Sequence, residues 1–166
     1  MKKSGVAIEG FYRVNIMDKD GRVKGDSGWK KNLITNGGMT AYLLYLFASS
    51  AGSTNCKYMM LGSLQSSLAT NATSLPGAYN MSLAAAIGTT QITSSTQSSG
   101  NTVRFLANFV SNSIISATNQ TIACIGLFNT TNATAIFCGG SFASSTLGSA
   151  QSINCTYDVV FTASAA

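Results

Sequence analysis

The sequence predicts a mainly β fold: an antiparallel β-sandwich or partly closed barrel with one packed α-helix at about 37–48 and an N-terminal β-hairpin. Three observations carry that expectation. Apolar and polar residues alternate in short stretches, most cleanly at Val103, Phe105, Ala107 and Phe109 and again at Ile153, Cys155, Tyr157, Val159 and Phe161, and a period of two marks a half-buried strand. Turns rich in Asn, Ser, Thr and Gly separate these stretches. Only one segment reads as a helix, and short strands with polar turns and a single helix imply a two-layer β architecture. With 166 residues, one domain spanning 1–166 is expected.

The elements follow in order. Val6, Ile8, Tyr12, Val14 and Ile16 lie on or near one face, with Glu9, Arg13 and Asn15 opposite. Asp18-Lys19-Asp20-Gly21 supplies a turn, and Arg22 to Ile34 is expected to return as one strand carrying Val23 and Trp29. Residues 1–34 are therefore expected to form a charged, exposed hairpin that contributes little to the core, because a two-stranded ribbon is marginal alone. Thr35 or Asn36 is placed to cap the helix holding Met39, Tyr42, Leu43, Leu46 and Phe47. That helix is apolar nearly all round, which implies burial against the sheet.

Lys57 to Leu61 reads as a short strand ending at Gly62. Residues 63–100 are low in complexity, with Ser, Thr, Ala and Gln dominant and Pro76 in the middle. An extended loop is expected there, with one or two short strands near 84–93, ordered by neighbouring subunits. Strands follow at 102–109, at 121–128, which is apolar on both faces and therefore central, and at 135–142 after a turn over 129–134; residues 153–161 close the sheet.

Charge is distributed unevenly. Of the 15 charged side chains, 12 lie in residues 1–31, where eight Lys/Arg face four Asp/Glu; the other 135 residues hold only Lys57, Arg104 and Asp158. Soluble domains are ordinarily about one quarter charged. A surface of hydroxyls and amides can pack on a copy of itself without desolvating ions, so the composition points to a subunit of an assembly. The alternative is a monomer with an unusually neutral surface. The N-terminal basic residues alternate with acids as on a solvated hairpin face, so nucleic-acid contact is not expected. Arg13, Arg22, Lys24, Trp29, Lys30 and Lys31 are the candidate assembly contacts.

Catalysis is not expected. The chain has no histidine, the usual general base and commonest metal ligand. No pair of acids, no base beside the serines and no glycine-rich phosphate motif is evident, so neither catalytic nor cofactor-binding residues are assigned. Cys56, Cys124, Cys138 and Cys155 show no Cys-x-x-Cys spacing, which argues against a zinc site. If the hairpin centres on Thr131, Cys124 and Cys138 fall opposite each other at about 4.5–5.5 Å between β carbons. Free buried thiols are expected first, with a Cys124–Cys138 pair formed after release into an oxidising medium as the alternative. Glu9 and Arg13 interrupt any signal-peptide apolar stretch, and the ten-residue run Met39–Ala48 is too short to span a bilayer, which takes about 20 residues. A protein made in the cytoplasm, without membrane contact, is expected.

Several motifs resemble those of small structural proteins of tailed bacteriophages. Lys31-Asn32-Leu33-Ile34-Thr35-Asn36-Gly37-Gly38 resembles the run that leads into their helix. Tyr58-Met59-Met60-Leu61-Gly62-Ser63 is similar to a strand of theirs, as are Ile122-Ala123-Cys124-Ile125-Gly126-Leu127-Phe128-Asn129 and the closing Tyr157-Asp158-Val159-Val160-Phe161-Thr162. Cys124 and Ile125 stand where an acidic residue commonly precedes their Gly-Leu-Phe run. The resemblance implies a virion component without a catalytic site. A self-associating capsid decoration protein is the first expectation, with copies of itself and a major capsid or tail protein as partners. The alternatives are a tail tube or fibre-associated protein and, from another class, a carbohydrate- or receptor-binding module using Tyr58, Tyr79 and Tyr157.

Overall fold

A computed structural model describes residues 5–40, 56, 58–77, 89–91, 94–99, 101–109, 120–128, 136–148 and 150–164. Its strands are β1 (Gly5–Met17), β2 (Val23–Asp26), β3 (Lys30–Lys31), β4 (Leu33–Ile34), β5 (Tyr58–Gly62) and β6 (Thr89–Gln91). They continue as β7 (Ser94–Ser99), β8 (Thr102–Phe109), β9 (Gln120–Phe128), β10 (Ile136–Leu147) and β11 (Ser152–Ser164). One sheet runs in the order β2-β1-β11-β8-β7, with β3 also pairing β1; the other runs β4-β10-β9-β5-β6. All of these pairings are antiparallel. The fold is mainly β and sandwich-like, with open sheets.

The core between the sheets takes the inward set of each alternating strand. Tyr12, Val14 and Ile16 come from β1, Phe105, Ala107 and Phe109 from β8, and Ile153, Cys155, Tyr157 and Val159 from β11; Ile125, Leu127 and Phe142 face them from the other sheet. Tyr12 and Tyr157 stack with centroids 5.9 Å apart, and the Tyr12 hydroxyl donates to the Ser141 carbonyl at 2.6 Å. Burial pushes the Tyr12 phenol up to about 12 and raises that of Tyr157 as well.

The N-terminal strand therefore belongs to the core, which corrects the expectation of a peripheral hairpin. β1 pairs β11 along its whole length, from Gly5 opposite Ser164 to Met17 opposite Ser152. Alternation revealed a strand, but its main partner lies about 150 positions away in the sequence, out of reach of any local pattern. The hairpin turn forms as expected: Gly21 has φ +76° and donates its N–H to Asp18 O, while Asp18 Oδ1 accepts the amides of Asp20 and Arg22.

Residues 22–34 do not make one strand. They divide into β2, β3 and β4, and the chain crosses from one sheet to the other at Asn32. Asn32 donates its backbone amide to Gly10 O and its side-chain amide to the buried Tyr157 hydroxyl. A side chain at Gly10 would occupy the space of the Asn32 carboxamide, so the crossing depends on that glycine. Thr35, buried, takes the cap position: its hydroxyl accepts the Gly38 amide at 3.0 Å and lies 2.7 Å from the Ile136 carbonyl, to which it donates. Residues 36–40 are helical, and the rest of the helix expected at 37–48 lies outside the described residues.

Residues 64–77, expected to be part of an extended loop, cover the outer face of the second sheet. Leu75 is buried and Leu68 and Ala72 half-buried against Met60, Cys124, Phe128 and Ile136. Backbone bonds from Asn36 to Thr70 O, Ser63 to Gly77 O and Ile136 to Thr73 O fix the segment along its length. Of the one or two short strands expected near 84–93, β6 lies in that range at Thr89–Gln91, whereas β7 lies past it at Ser94–Ser99.

The cysteine register is corrected too. Cys138 lies opposite Leu127, and Cys124 opposite Ser141. The slip of three positions is odd, and side chains alternate faces, so the two sulfurs sit on opposite sides of the sheet. Cys138 belongs to the inter-sheet core and Cys124 to the cluster under residues 64–77. None of the four cysteines is joined in a disulfide. Burial pushes Cys124 up to about 12 and also raises Cys155. A thiol reagent on the native protein is therefore expected to modify half-exposed Cys56 well before the other three, with peptide mass spectrometry as the readout. Fast native labelling of Cys155 would contradict the packing.

Candidate assembly surface

The outer face of the first sheet is built by the alternate residues of β1, β11 and β8. Register aligns them in rows. Asp26, Asn15, Asn154 and Asn108 form one row, in which Asn108 donates to Asn154. Lys31, Phe11, Asp158 and Arg104 form another, continued by Thr96 on β7. The face is mixed: amides and hydroxyls such as Asn15, Asn108, Asn154 and Thr156 stand among the ions Glu9, Arg13, Arg104 and Asp158 and the apolar Phe11, Met17, Val160 and Leu106.

Its charges are cancelled locally. Arg104 donates to both carboxylate oxygens of Asp158, at 2.8 and 2.7 Å, from the neighbouring strand. Such a bidentate fork fixes both side chains. The Trp29 ring centroid lies 5.9 Å from the same guanidinium, a cation–π contact, and Trp29 remains 47% exposed. Nothing local in the sequence points from Asp158 to a partner. The partner is 54 positions away and only pairing of β8 with β11 brings it alongside.

The candidate contact residues of the N-terminal segment divide in the same way. Arg13 pairs with Asp26, Lys24 with Asp18 at 3.8 Å and Lys31 with Glu9. The Arg13 guanidinium and the Gly28 amide hold the Asp26 carboxyl down at about 2. Arg22 and Lys30 have no ion pair among the described residues. Lys30 lies opposite Tyr12 in register, and Lys31 opposite Phe11, so the two lysines address different faces. Lys30 lines a cleft of about 150 Å³ at the open edge of the sandwich, over Val14, Ile16, Ile122 and Phe142. Sequence gave no signal of this cleft, which forms where two sheets meet.

Of the tyrosines considered for sugar contact, Tyr157 is fully buried and Tyr58 half-buried on the other side of the fold, while Tyr79 lies outside the described residues. A cluster of Tyr157 with Tyr58 at the surface is thereby excluded. Among the described residues, no group of three or more His, Cys, Asp or Glu is placed to hold a metal ion, and no helix is long and apolar enough to cross a membrane. No protein family, curated protein or solved structure matches the chain.

Proposed function

We propose that this protein is a non-enzymatic structural subunit of a virus particle, a capsid decoration protein that assembles with copies of itself and with a major capsid protein. One observation carries the reading. Residues 32–166 hold three charged side chains, and two of them, Arg104 and Asp158, neutralise each other. Ordinary soluble domains use surface charge to resist association, whereas a hydroxyl and amide surface can be buried without stripping water from ions. Exposed Trp29, held beside Arg104, is an aromatic anchor of the kind that dominates interfaces. The placement in a virion is supported by the resemblance of the Asn32–Gly38, Tyr58–Ser63 and Ile122–Asn129 segments to small structural proteins of tailed phages.

The test is imaging of purified particles with the protein labelled. Copies across the capsid lattice are the expected result. A stack of rings would move the protein to the tail, a few copies at one end would favour receptor binding, and absence from particles would overturn the proposal. Trp29→Ala is expected to reduce incorporation at least tenfold while the circular dichroism spectrum stays unchanged, since the ring is half exposed and lies outside the core.

A further inference from the structure

We propose that β7, the edge of the six-stranded sheet among the described residues, is where a second copy of this chain adds its own β7, continuing the sheet across a twofold axis. The inference rests on the assembly reading and names the surface it uses.

The two ends of that sheet differ. One ends in β2 and β3, which carry Lys24, Asp26, Lys30 and Lys31, with a register shift at Ile16/Met17. Charges on an edge block the arrival of another strand. The other end is β7, Ser94–Ser99, sequence SSTQSS, with no charge and no proline. An edge strand points every second N–H and C=O away from its neighbour, and among the described residues none pairs with that side of β7. The five-stranded sheet ends similarly, in β6, Thr89–Gln91. The sequence of residues 89–99, which includes both edge strands, holds no ion.

The chemistry selects a copy of the same chain as occupant. In any antiparallel register, Ser, Thr or Gln of one β7 meets Ser, Thr or Gln of the other, and such cross-strand pairs hydrogen-bond favourably. A charged partner strand would set its ions against groups that cannot neutralise them. The nearest charge in register, Arg104 opposite Thr96, is already matched by Asp158, so two copies approach without like-charge repulsion. The register of β7 with β8 skips Ser98, leaving Ser94–Gln97 as the regular stretch for pairing. An isologous contact of this kind closes as a dimer.

Sedimentation velocity of the full chain tests the proposal. Wild type is expected to form a dimer, with hydrogen-exchange protection of the 94–97 amides that fades on dilution. Thr96→Glu, which puts a carboxylate into the neutral Ser94–Gln97 stretch of both copies, is expected to weaken dimerisation at least tenfold. Ser94→Lys lies in the same Ser94–Gln97 stretch and carries the test if Thr96→Glu fails to fold. Lys19→Glu, in the exposed turn beyond the opposite edge, is expected to leave the dimer intact. Persistence of the dimer in both folded β7 variants would overturn the edge as the surface while the assembly reading stood. A wild type that stays monomeric at all concentrations would overturn both.

Discussion

Gly126→Val is expected to destabilise the fold by about 3 kcal/mol, the upper end of the usual range for overpacking a filled core. Gly126 lies between Met60 and Gly139 in neighbouring strands. A β carbon there would stand 2.9 Å from Ile136 Cδ1, 3.0 Å from Leu75 Cδ1 and 3.1 Å from the Cys138 carbonyl. Gly139 meets the same two side chains at 3.1 and 3.2 Å. The paired glycines thus leave the hollow that Leu75, from the covering segment 64–77, fills. Valine at 126 would displace Leu75 or move the β10 backbone, and close packing offers neither movement freely. Urea denaturation of Gly126→Val, Leu75→Ala and the double variant checks this. The double variant is expected to lose less than the sum of the singles, because Leu75→Ala removes part of the clash. An unchanged midpoint for Gly126→Val would mean that residues 64–77 do not pack on the sheet.

Tyr12→Ala is expected to cost about 3–5 kcal/mol, as for other large aromatic truncations in cores. The side chain is 1% exposed and packs on Tyr157 and Phe142. Tyr12→Phe keeps the ring and removes only the bond to Ser141 O, with an expected loss of about 1–2 kcal/mol. Thermal melts of the pair separate the two contributions. A small effect of Tyr12→Ala would return the N-terminal strand to the periphery. The phenol adds a pH dependence. Its folded pKa, about 12, lies above the ordinary tyrosine value of 10.0 because the ring is buried, so the protonated form is favoured in the fold. The stabilisation is complete below pH about 10 and is lost as pH rises through 10 towards 12. Tyrosinate absorbance followed together with circular dichroism is expected to show ionisation of Tyr12 coupled to unfolding.

The legible part of the fold was whatever a strand or turn specifies within its own few residues. Alternation at 102–109 and 153–161 placed β8 and β11 and chose their inward residues correctly; the all-apolar run at 121–128 marked β9 as central. The Asp18–Gly21 turn and the cap, narrowed to Thr35 or Asn36, were likewise written locally. The division of residues 22–34 among three strands was not, because it depends on Gly10 and Tyr157 receiving Asn32 at the crossing. Leu68, Ala72 and Leu75 gave no periodic signal within a Ser/Thr-rich stretch, and only the hollow at Gly126 and Gly139 gives them a place.

The assembly surface divides along the same line. Sequence by itself determined that the body is almost uncharged and that basic residues gather near the N-terminus. Tertiary structure decided which charges survive: it joined Arg104 to Asp158, closed Arg13, Lys24 and Lys31 on nearby acids, and separated Lys30 from Lys31. It also decided that Cys124 and Cys138 lie on opposite faces and that β7 ends a sheet. The physical reason is that side-chain periodicity is a property of one strand, whereas register and neighbour order belong to pairs of strands far apart in the chain, where a one-residue slip exchanges the two faces.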